Sequence, residues 1–267
     1  MLPKVRLPDT RRMITLEVMG STRTTANFVT VTLGGPELEH FRPTGDDQTV
    51  RLFFPRDGQD GLRMPTFNNE AWMAEILLLP KSRRPWVRNF TIRRARPGQG
   101  EVDIEFALHA GSPASSWAAR ARPGDPAGIF DMGVSCLPPA GVDWQLLVGD
   151  ESALPAILAI LENAPDSLIA EVFLEVPETA DIRDEVVKPE GARVHWLPRD
   201  DSSARPGRLA LETVTKAALP PGRCYAWLAG EAKLPTGLRR HLVNERGLPK
   251  QDIAFYGYWR LGRSSPG

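Results

Sequence analysis

The segment WQLLVGDESALPAI, residues 144–157, decides the fold of the second half of the chain. A continuous apolar run, residues 144–148, ends in Gly149 and Asp150, and a helical pattern follows. A buried strand, a tight turn and a helix in this order begin a βαβ unit, whose strands lie parallel. We expect Asp150 or Ser152 to cap the helix. The turn lacks the Gly-x-Gly-x-x-Gly fingerprint, so by itself it does not assign a dinucleotide ligand.

Apolar strands and helices continue to alternate after this unit. The strands are predicted at residues 168–176, 193–197, 224–229 and 253–258, and the helices at 153–163, 208–218 and 234–246. This alternation predicts a parallel-sheet α/β domain over residues 140–267, preceded by a proline-containing linker at 136–141.

The first half of the chain has the two-residue period of half-buried strands instead. Six short strands are predicted, separated by Gly-, Pro- and Asp-containing turns, at residues 13–19, 28–33, 49–54, 87–93, 102–108 and 127–130. Six short strands with polar turns favour a small closed antiparallel barrel over residues 1–139.

Composition excludes several classes of protein. The 267 residues contain 33 Lys+Arg and 33 Asp+Glu, and this zero net charge argues against a nucleic-acid-binding protein. Two cysteines and four scattered histidines predict no disulfide framework and no metal site. The longest apolar stretch, residues 76–79, is far too short to span a membrane. We therefore expect a cytoplasmic protein with reduced thiols, and neither nucleic acid nor membrane as a partner.

The strand segment RNFT, residues 88–91, carries the first candidate site. Alternation puts Arg88 and Phe90 on one face and Asn89 and Thr91 on the other. An aromatic ring can cover an isoalloxazine face, a threonine hydroxyl can reach the flavin N5, and a guanidinium can neutralise a pyrophosphate. The alternative is an ordinary amphipathic strand with a solvated arginine.

The segment HAGSPASSW, residues 109–117, joins a strand to a helix through small residues that let the backbone approach a phosphate. Ser115 or Ser116 is expected to cap that helix, whose N-terminus is an anion-binding position. The alternative is a plain loop that buries Trp117 in the core.

Two later segments are also candidates: the first repeats the pattern of a strand followed by glycine, and the second is rich in aromatic residues. AWLAGEA, residues 226–232, passes from an apolar strand through Gly230 to Glu231. YGYWRLG, residues 256–262, places three aromatic residues and an arginine together. These aromatics either cover a flavin or fill an edge of the core.

Taken in order, RNFTIR, EFALH with PASSWA, LLVGDESALPAI, AWLAGEA and GYWRLG resemble the siderophore-interacting protein family of flavin-dependent ferric-siderophore reductases. The resemblance runs from about residue 14 to residue 262. It implies a ferredoxin-reductase-like fold, with a six-stranded FAD-binding barrel followed by an NAD(P)H-binding α/β domain.

The resemblance also implies cofactor-binding residues. The flavin, its pyrophosphate and its ribose would be held by Arg88, Phe90, Thr91, His109, Ser112, Ala114, Ser115 and Trp117. The nicotinamide nucleotide and the place where the cofactors meet would involve Asp150, Ser152, Ala153, Gly230, Glu231, Tyr258 and Trp259.

Two positions depart from the family pattern. Phe90 stands where the family usually has tyrosine, which removes one hydrogen bond worth about 0.5–1.5 kcal/mol. The loop before Pro113 is one residue shorter and lacks glycine immediately before the proline. Both departures predict an altered affinity for FAD.

The activity implied by the resemblance is electron transfer from NADPH or NADH through FAD to the ferric iron of a siderophore. Positive charge for an anionic siderophore is expected from Arg239, Arg240, Arg246, Lys250 and Arg260, and Arg199 with Arg205 could recognise the 2′-phosphate of NADPH. Two alternatives stay open: a flavin reductase that serves a protein partner such as ferredoxin or flavodoxin, and a siderophore- or flavin-binding protein without turnover.

Overall fold

The computed structural model describes residues 5–201 and 203–262. The chain divides into two compact units, which we call the barrel unit, Arg6–Val134, and the sheet unit, which begins at Ser135. The barrel unit contains β1 (Met13–Thr25), β2 (Phe28–Gly34), β3 (Thr49–Phe54), α1 (Trp72–Leu78), β4 (Trp86–Thr91), β5 (Arg94–Arg96), β6 (Glu101–Ala107), α2 (Pro113–Arg120) and β7 (Pro126–Asp131). The sheet unit contains β8 (Trp144–Gly149), α3 (Leu154–Asn163), β9 (Ala170–Val176), β10 (Ala192–Pro198), α4 (Arg208–Lys216), β11 (Cys224–Glu231), α5 (Lys233–Asn244) and β12 (Ile253–Trp259).

The barrel unit is a seven-stranded antiparallel sheet in the order β4-β3-β7-β1-β2-β6-β5. Its two end strands, β4 and β5, are separated in the chain by Ile92 and Arg93 only. The amide of Ile92 donates to Gln48 O at 2.9 Å, and that of Arg93 donates to Asp103 O at 2.8 Å, so the link bonds to both ends of the sheet. The sheet thus closes into the expected barrel.

Alternation in β1 shows why these residues form the barrel. Ile14, Leu16 and Val18 are buried in its core, while Thr15 and Glu17 between them are exposed. The prediction missed β5, which is short and highly charged. Ion pairs from Arg96 to Glu101 and Asp103 hold that strand against β6.

Helix α1 was also not predicted. It lies over the outside of the barrel, where Trp72 and Ile76 pack with Phe53 and Phe130 in a second apolar cluster. The rings of Phe53 and Trp72 meet edge to face at 5.3 Å. Burial of one side of a short helix against an outward-facing strand depends on tertiary packing, which the local pattern does not reveal.

The sheet unit is a five-stranded parallel sheet in the order β10-β9-β8-β11-β12, as the alternation of strands and helices predicted. The chain moves outward from β8 in one direction, through β9 to β10, and then in the other, through β11 to β12. The strand order therefore reverses between β8 and β11, which is the position where α/β sheets bind ligands at the carboxyl ends of their strands.

Helices α4 and α5 pack with one face of this sheet. Ala210 and Val214 of α4 and Leu234 and Leu238 of α5 lie in one apolar cluster with strand residues such as Leu228. Within the described ranges, no helix is long and apolar enough to cross a membrane.

Candidate functional site

Strand β4 presents the aromatic part of the barrel-unit site. Phe90 lies opposite Val50 and Arg88 lies opposite Leu52, so both side chains share the face of these two buried β3 residues. The Phe90 ring is partly exposed, and its centroid lies 4.4 Å from that of Phe106. Phe90 is thus a supported aromatic surface that a planar ring system can cover.

Thr91 occupies the other face of β4, as the alternation predicted. Its cross-strand partner is Thr49, and Thr91 itself is buried, with 8% exposure. The strand therefore does not place the threonine side chain on the same face as Arg88 and Phe90.

Two arginines lie against the indole ring of Trp86. The guanidinium carbon of Arg56 is 3.7 Å from the ring centroid, and that of Arg88 is 4.9 Å away. Burial, and then the charge of Arg56, lower the pKa of Arg88; burial, and then the charge of Arg84, lower the pKa of Arg56. Burial is the larger cause of both shifts, and the neighbouring positive charge adds to it; a bound anion would stabilise both charged guanidinium groups. Sequence analysis missed Arg56, because its approach to Trp86 arises only when β3 and β4 pair.

The loop from β6 to α2 brings the N-terminus of a helix beside β4. Gly111 has a φ of +74°, which permits the turn, and Ser112 is the cap of α2 because its Oγ accepts from Ser115 N at 3.4 Å. The cap expected at Ser115 or Ser116 is therefore wrong by one turn, since Pro113 already begins the helix. The first turn of α2 contains no acidic residue.

Some of the other predicted residues of this loop are buried and hold the loop in place, whereas others are partly exposed. Ser115 accepts from His109 N at 2.9 Å and is buried with Ala114, so its hydroxyl fixes the loop to the start of the helix. His109 and Ser112 are partly exposed. Trp117 is buried inside the barrel, where its ring lies 5.2 Å from Phe54 and 5.9 Å from Phe106.

The chemistry of this donor set fits a flavin dinucleotide. Phe90 offers a face for the ring system, whereas Arg88, Arg56 and the positive end of the α2 dipole offer positive charge for a diphosphate. Helix α2 packs against the same core as β4, because Ala114 and Trp117 share an apolar cluster with Phe90. The aromatic and anion-binding parts therefore belong to one region of the barrel unit.

In the sheet unit, Asp150 follows β8 at the point where the strand order reverses. Its carboxyl group is fully buried and accepts from Ser152 N at 2.9 Å, Ser152 Oγ at 2.6 Å, Glu231 N at 2.5 Å and Trp259 Nε1 at 3.3 Å. Burial, and then the charge of Glu151, raise the pKa of Asp150 to about 7. Asp150 thus joins the carboxyl ends of β8, β11 and β12 and positions its neighbours.

Helix α3 begins without the side-chain cap that was expected from Asp150 or Ser152. The residue that precedes its first turn is Ala153, which is buried, and no side chain caps the helix. The Asp150 carboxylate bonds instead to Ser152 and to the distant strand ends, which compete for its oxygen atoms.

Gly230 and Glu231 complete the group of bonded residues around Asp150, which we call the hub. Gly230 has a φ of +136°, and a Cβ atom there would lie 2.7 Å from the Asp150 carboxyl carbon. Glu231 is fully buried and accepts from Arg205 Nη2 at 2.6 Å, Lys233 N at 2.9 Å and Leu261 N at 3.2 Å. Burial opposes ionisation of Glu231, but these donors lower its pKa overall.

Aromatic residues at the end of β12 stand beside the hub. Trp259 is partly exposed while its indole N–H bonds to Asp150, and Tyr258 is 39% exposed. The structure therefore brings Asp150, Ser152, Gly230, Glu231 and Trp259 together at one edge, which we call the carboxyl edge.

Arg199 does not have the free guanidinium that recognition of a 2′-phosphate requires. Its Nη1 lies 2.8 Å from both Glu151 Oε2 and Glu175 Oε1, and its Nη2 lies 3.0 Å from Glu151 Oε1. The Arg199 side chain is 8% exposed and the Glu175 side chain is 0% exposed. The expectation that Arg199 binds a phosphate is therefore wrong, and a buried ion pair takes its place.

The five basic residues proposed for the siderophore do not form one cluster. Arg260 follows β12 at the carboxyl edge, whereas Lys250 precedes β12, whose seven residues span about 20 Å. Arg246 donates to the carbonyl groups of Thr215 and Ala217 at 3.0 Å, near the end of α4, and Arg239 lies over the ring of Phe255 at 4.7 Å. Arg240 is exposed on α5. Nearness in sequence suggested a group that the parallel sheet separates.

Comparison with known proteins identifies both halves of the chain. The family profile described as Siderophore-interacting FAD-binding domain matches residues 17–136, and the profile described as Siderophore-interacting protein matches residues 142–262. The ferric vibriobactin reductase of Vibrio cholerae is 31% identical over 89% of this chain and 86% of its own. The NADPH-dependent ferric-chelate reductase of Escherichia coli is 28% identical over 95% of each chain.

Solved structures agree with these matches. A siderophore utilization protein from T. fusca has a TM-score of 0.84 and 31% identity, covering 99% of this chain and 98% of its own. A ferredoxin NADP+ reductase from Neisseria gonorrhoeae, 12% identical, has a TM-score of 0.59 over 94% of this chain and 100% of its own, which shows the shared fold. The predicted ferredoxin-reductase-like fold and FAD as cofactor are confirmed. The chain belongs to the siderophore-interacting protein family.

Proposed function

We propose that this protein is an FAD-dependent reductase that takes electrons from a nicotinamide nucleotide and delivers them to the ferric iron of a siderophore. The observation that carries the proposal is that the matched FAD-binding region contains a supported aromatic surface, Phe90, beside arginines and a helix N-terminus whose positive charge suits a diphosphate. The names of two relatives, a ferric vibriobactin reductase and a ferric-chelate reductase, support ferric iron as the electron acceptor.

The residues of the barrel unit hold the cofactor in this proposal. Phe90 covers a face of the ring system, and Arg88 with the positive end of the α2 dipole stabilises the charge of the diphosphate. Bound FAD supplies the chemistry that converts a two-electron hydride donor into single-electron transfers. The sheet unit binds the nucleotide at its carboxyl edge, where Asp150 fixes Ser152 and Trp259 in position.

The overall reaction balances without a metal ligand from the protein. One nicotinamide nucleotide loses two electrons and releases one proton, and two ferric ions each gain one electron. Hard oxygen donors of a siderophore hold Fe(III) more tightly than Fe(II), so reduction releases the iron. In the described part of the chain, no group of three or more His, Cys, Asp or Glu side chains is arranged to hold a metal ion.

A stoichiometric test separates this function from the alternatives. The FAD-loaded protein is reduced anaerobically with one equivalent of dithionite and mixed with a ferric catecholate chelate, while a chromogenic chelator traps Fe(II). We expect the absorbance of the oxidised flavin to return, with two Fe(II) formed per flavin. The gallium(III) chelate, which has the same shape and charge but is not reduced, should leave the flavin reduced.

Other outcomes would contradict the proposal. Failure to retain FAD would favour a binding protein without turnover, and reoxidation by ferredoxin but not by the chelate would favour a protein redox partner. A cytoplasmic location stays a prediction from the sequence.

A further inference from the structure

We propose that the carboxyl edge of the sheet unit excludes the 2′-phosphate of NADPH, so that NADH is the nucleotide this chain accepts. The inference rests on the proposed function, because it assumes that a nicotinamide nucleotide binds at this edge. It concerns specificity, which the fold does not decide: the relative from Escherichia coli is named for NADPH.

The residues that recognise the ribose of a bound dinucleotide follow the strands on one side of the position where the strand order reverses. In dinucleotide-binding sheets an acidic residue about 20 residues beyond the first turn accepts from the ribose 2′-hydroxyl, whereas a nearby arginine accommodates a 2′-phosphate. In this chain the corresponding positions are Glu175, at the end of β9, and Arg199 with Arg205, after β10. Glu175 is fully buried, so the state of the two arginines decides whether a 2′-phosphate finds a cation at this position.

Arg199 is unavailable to a phosphate, because it lies between the carboxylates of Glu151 and Glu175 at 2.8 Å from each. To bind a phosphate it would have to leave the buried carboxylates of Glu151 and Glu175 without their cation, which is strongly unfavourable. Arg205 is 30% exposed, and its Nη2 lies 2.6 Å from the buried Glu231. Both arginines thus neutralise internal carboxylates.

Helix α4 offers no vacant N-terminus either. Glu175 Oε1 accepts from Gly207 N at 2.7 Å, and Glu175 Oε2 accepts from Ala210 N at 2.8 Å. A helix N-terminus is a ready site for a phosphate group, but here an internal carboxylate already bonds to the amides that would hold it.

Two carboxylates are exposed beside this position. Asp200 and Asp201 follow Arg199 directly, and both are exposed. The exposed cation at the start of α4, Arg208, pairs with Glu212 at 3.1 Å. A 2′-phosphate would bring about two further negative charges to this surface, whereas the 2′-hydroxyl of NADH brings none.

Direct binding tests the proposal without any turnover. ADP-ribose and 2′-phospho-ADP-ribose are titrated separately into the FAD-loaded protein in a calorimeter at low ionic strength. We expect ADP-ribose to bind at least about tenfold more tightly, equivalent to about 1.4 kcal/mol. Equal affinity, tighter binding of the phosphorylated compound, or binding of neither would overturn the proposal.

A pair of variants then tests the charge argument. Asp200→Asn with Asp201→Asn removes two carboxylates and keeps an oxygen acceptor for the backbone amides of Thr179 and Ser203; asparagine also tolerates the φ of +49° at position 200. The preference for ADP-ribose should fall several-fold in this double variant. The control, Asp166→Asn with Glu190→Gln, removes two exposed carboxylates at the opposite ends of the strands and should leave the ratio unchanged. Equal effects of the two double variants would contradict a local role of Asp200 and Asp201.

Failure of this inference can be told apart from failure of the proposed function. Reoxidation of dithionite-reduced protein by a ferric chelate needs no nucleotide. A protein that reduces the chelate but prefers 2′-phospho-ADP-ribose would keep the proposed function and lose only the specificity for NADH.

Discussion

The two units use arginine in opposite ways. In the barrel unit, Arg56 and Arg88 lie against the indole ring of Trp86, and their pKa values are lowered by burial and neighbouring positive charge. In the sheet unit, Arg199 and Arg205 lie against buried carboxylates. The comparison teaches that an arginine near a candidate site indicates an anion ligand only after its internal partners are known.

The largest effect that would test this contrast is loss of Arg199. Arg199→Met should destabilise the sheet unit by about 3–5 kcal/mol, because Glu151 and Glu175 would remain buried without their cation. The measurement is denaturant-dependent hydrogen exchange of the β9 and β10 amides. Arg193→Met, at a side chain that is 79% exposed, is the control and should change stability by less than about 1 kcal/mol. Similar losses in both variants would show that Arg199 is no more structural than a surface residue.

The second test addresses the raised pKa of Asp150, which is buried beside the carboxylate of Glu151. The folded-state pKa of Asp150, about 7, lies above its unfolded value near 3.9, so the folded chain holds the proton over a wider pH range. Stability of the sheet unit should therefore fall as pH rises from about 4 to 7, by at most about 1.4 kcal/mol per pH unit, and then level off.

Asp150→Asn should remove this dependence on pH, since the amide does not titrate in that range. Denaturant unfolding measured at several pH values between 5 and 8 gives the slope, and Asp166→Asn, at an exposed position, is the control. An unchanged slope in Asp150→Asn would assign the titration to another group of the hub.

The third test asks whether the arginines of the barrel unit serve a ligand. Arg88→Ala should weaken FAD binding by tenfold or more, because a hydrogen bond to a charged group contributes about 1.5–3 kcal/mol. Fluorescence titration of the apoprotein with FAD measures the affinity. Arg63→Ala, at an exposed residue of the same unit, should bind FAD as the unsubstituted chain does. Unchanged affinity in Arg88→Ala would remove Arg88 from the site.

The smallest expected effect concerns the aromatic surface. Phe90→Tyr restores the hydroxyl group that the family usually carries and should raise the affinity for FAD two- to tenfold, or about 0.5–1.5 kcal/mol. The same titration measures the gain. Phe67→Tyr, at a residue that is 51% exposed in the same unit, is the control. An equal or lower affinity in Phe90→Tyr would show that no donor or acceptor awaits the hydroxyl.

The sequence predicted elements whose pattern is local. The alternation in β1 and the apolar runs of β8 and β11 follow directly from burial on one or both faces, so the two kinds of sheet could be predicted. The short strand β5 and helix α1 were missed because their formation depends on partners distant in the chain.

In the candidate site, too, the features that follow from a local pattern could be predicted, and those that depend on distant partners could not. Arg88 and Phe90 follow from strand alternation, but the partners of Arg199 do not. Glu175 interrupts an apolar strand, and an acidic residue at such a position signals a buried partner without identifying it. The basic residues 239–260 misled the prediction because the sheet places neighbouring segments at opposite ends of its strands.

The two-residue link between β4 and β5 has a consequence for association between copies of the chain. Open sheets expose edge strands to which another chain can add its own strand, and such addition leads to aggregation or domain swapping. Ile92 and Arg93 connect the two ends of the strand order through the backbone. The amide of Ile92 donates to Gln48 O and the amide of Arg93 donates to Asp103 O, both within the same barrel. The covalent connectivity of the barrel thus keeps β4 and β5 together at this point, which restricts the room for a strand of another copy to add there.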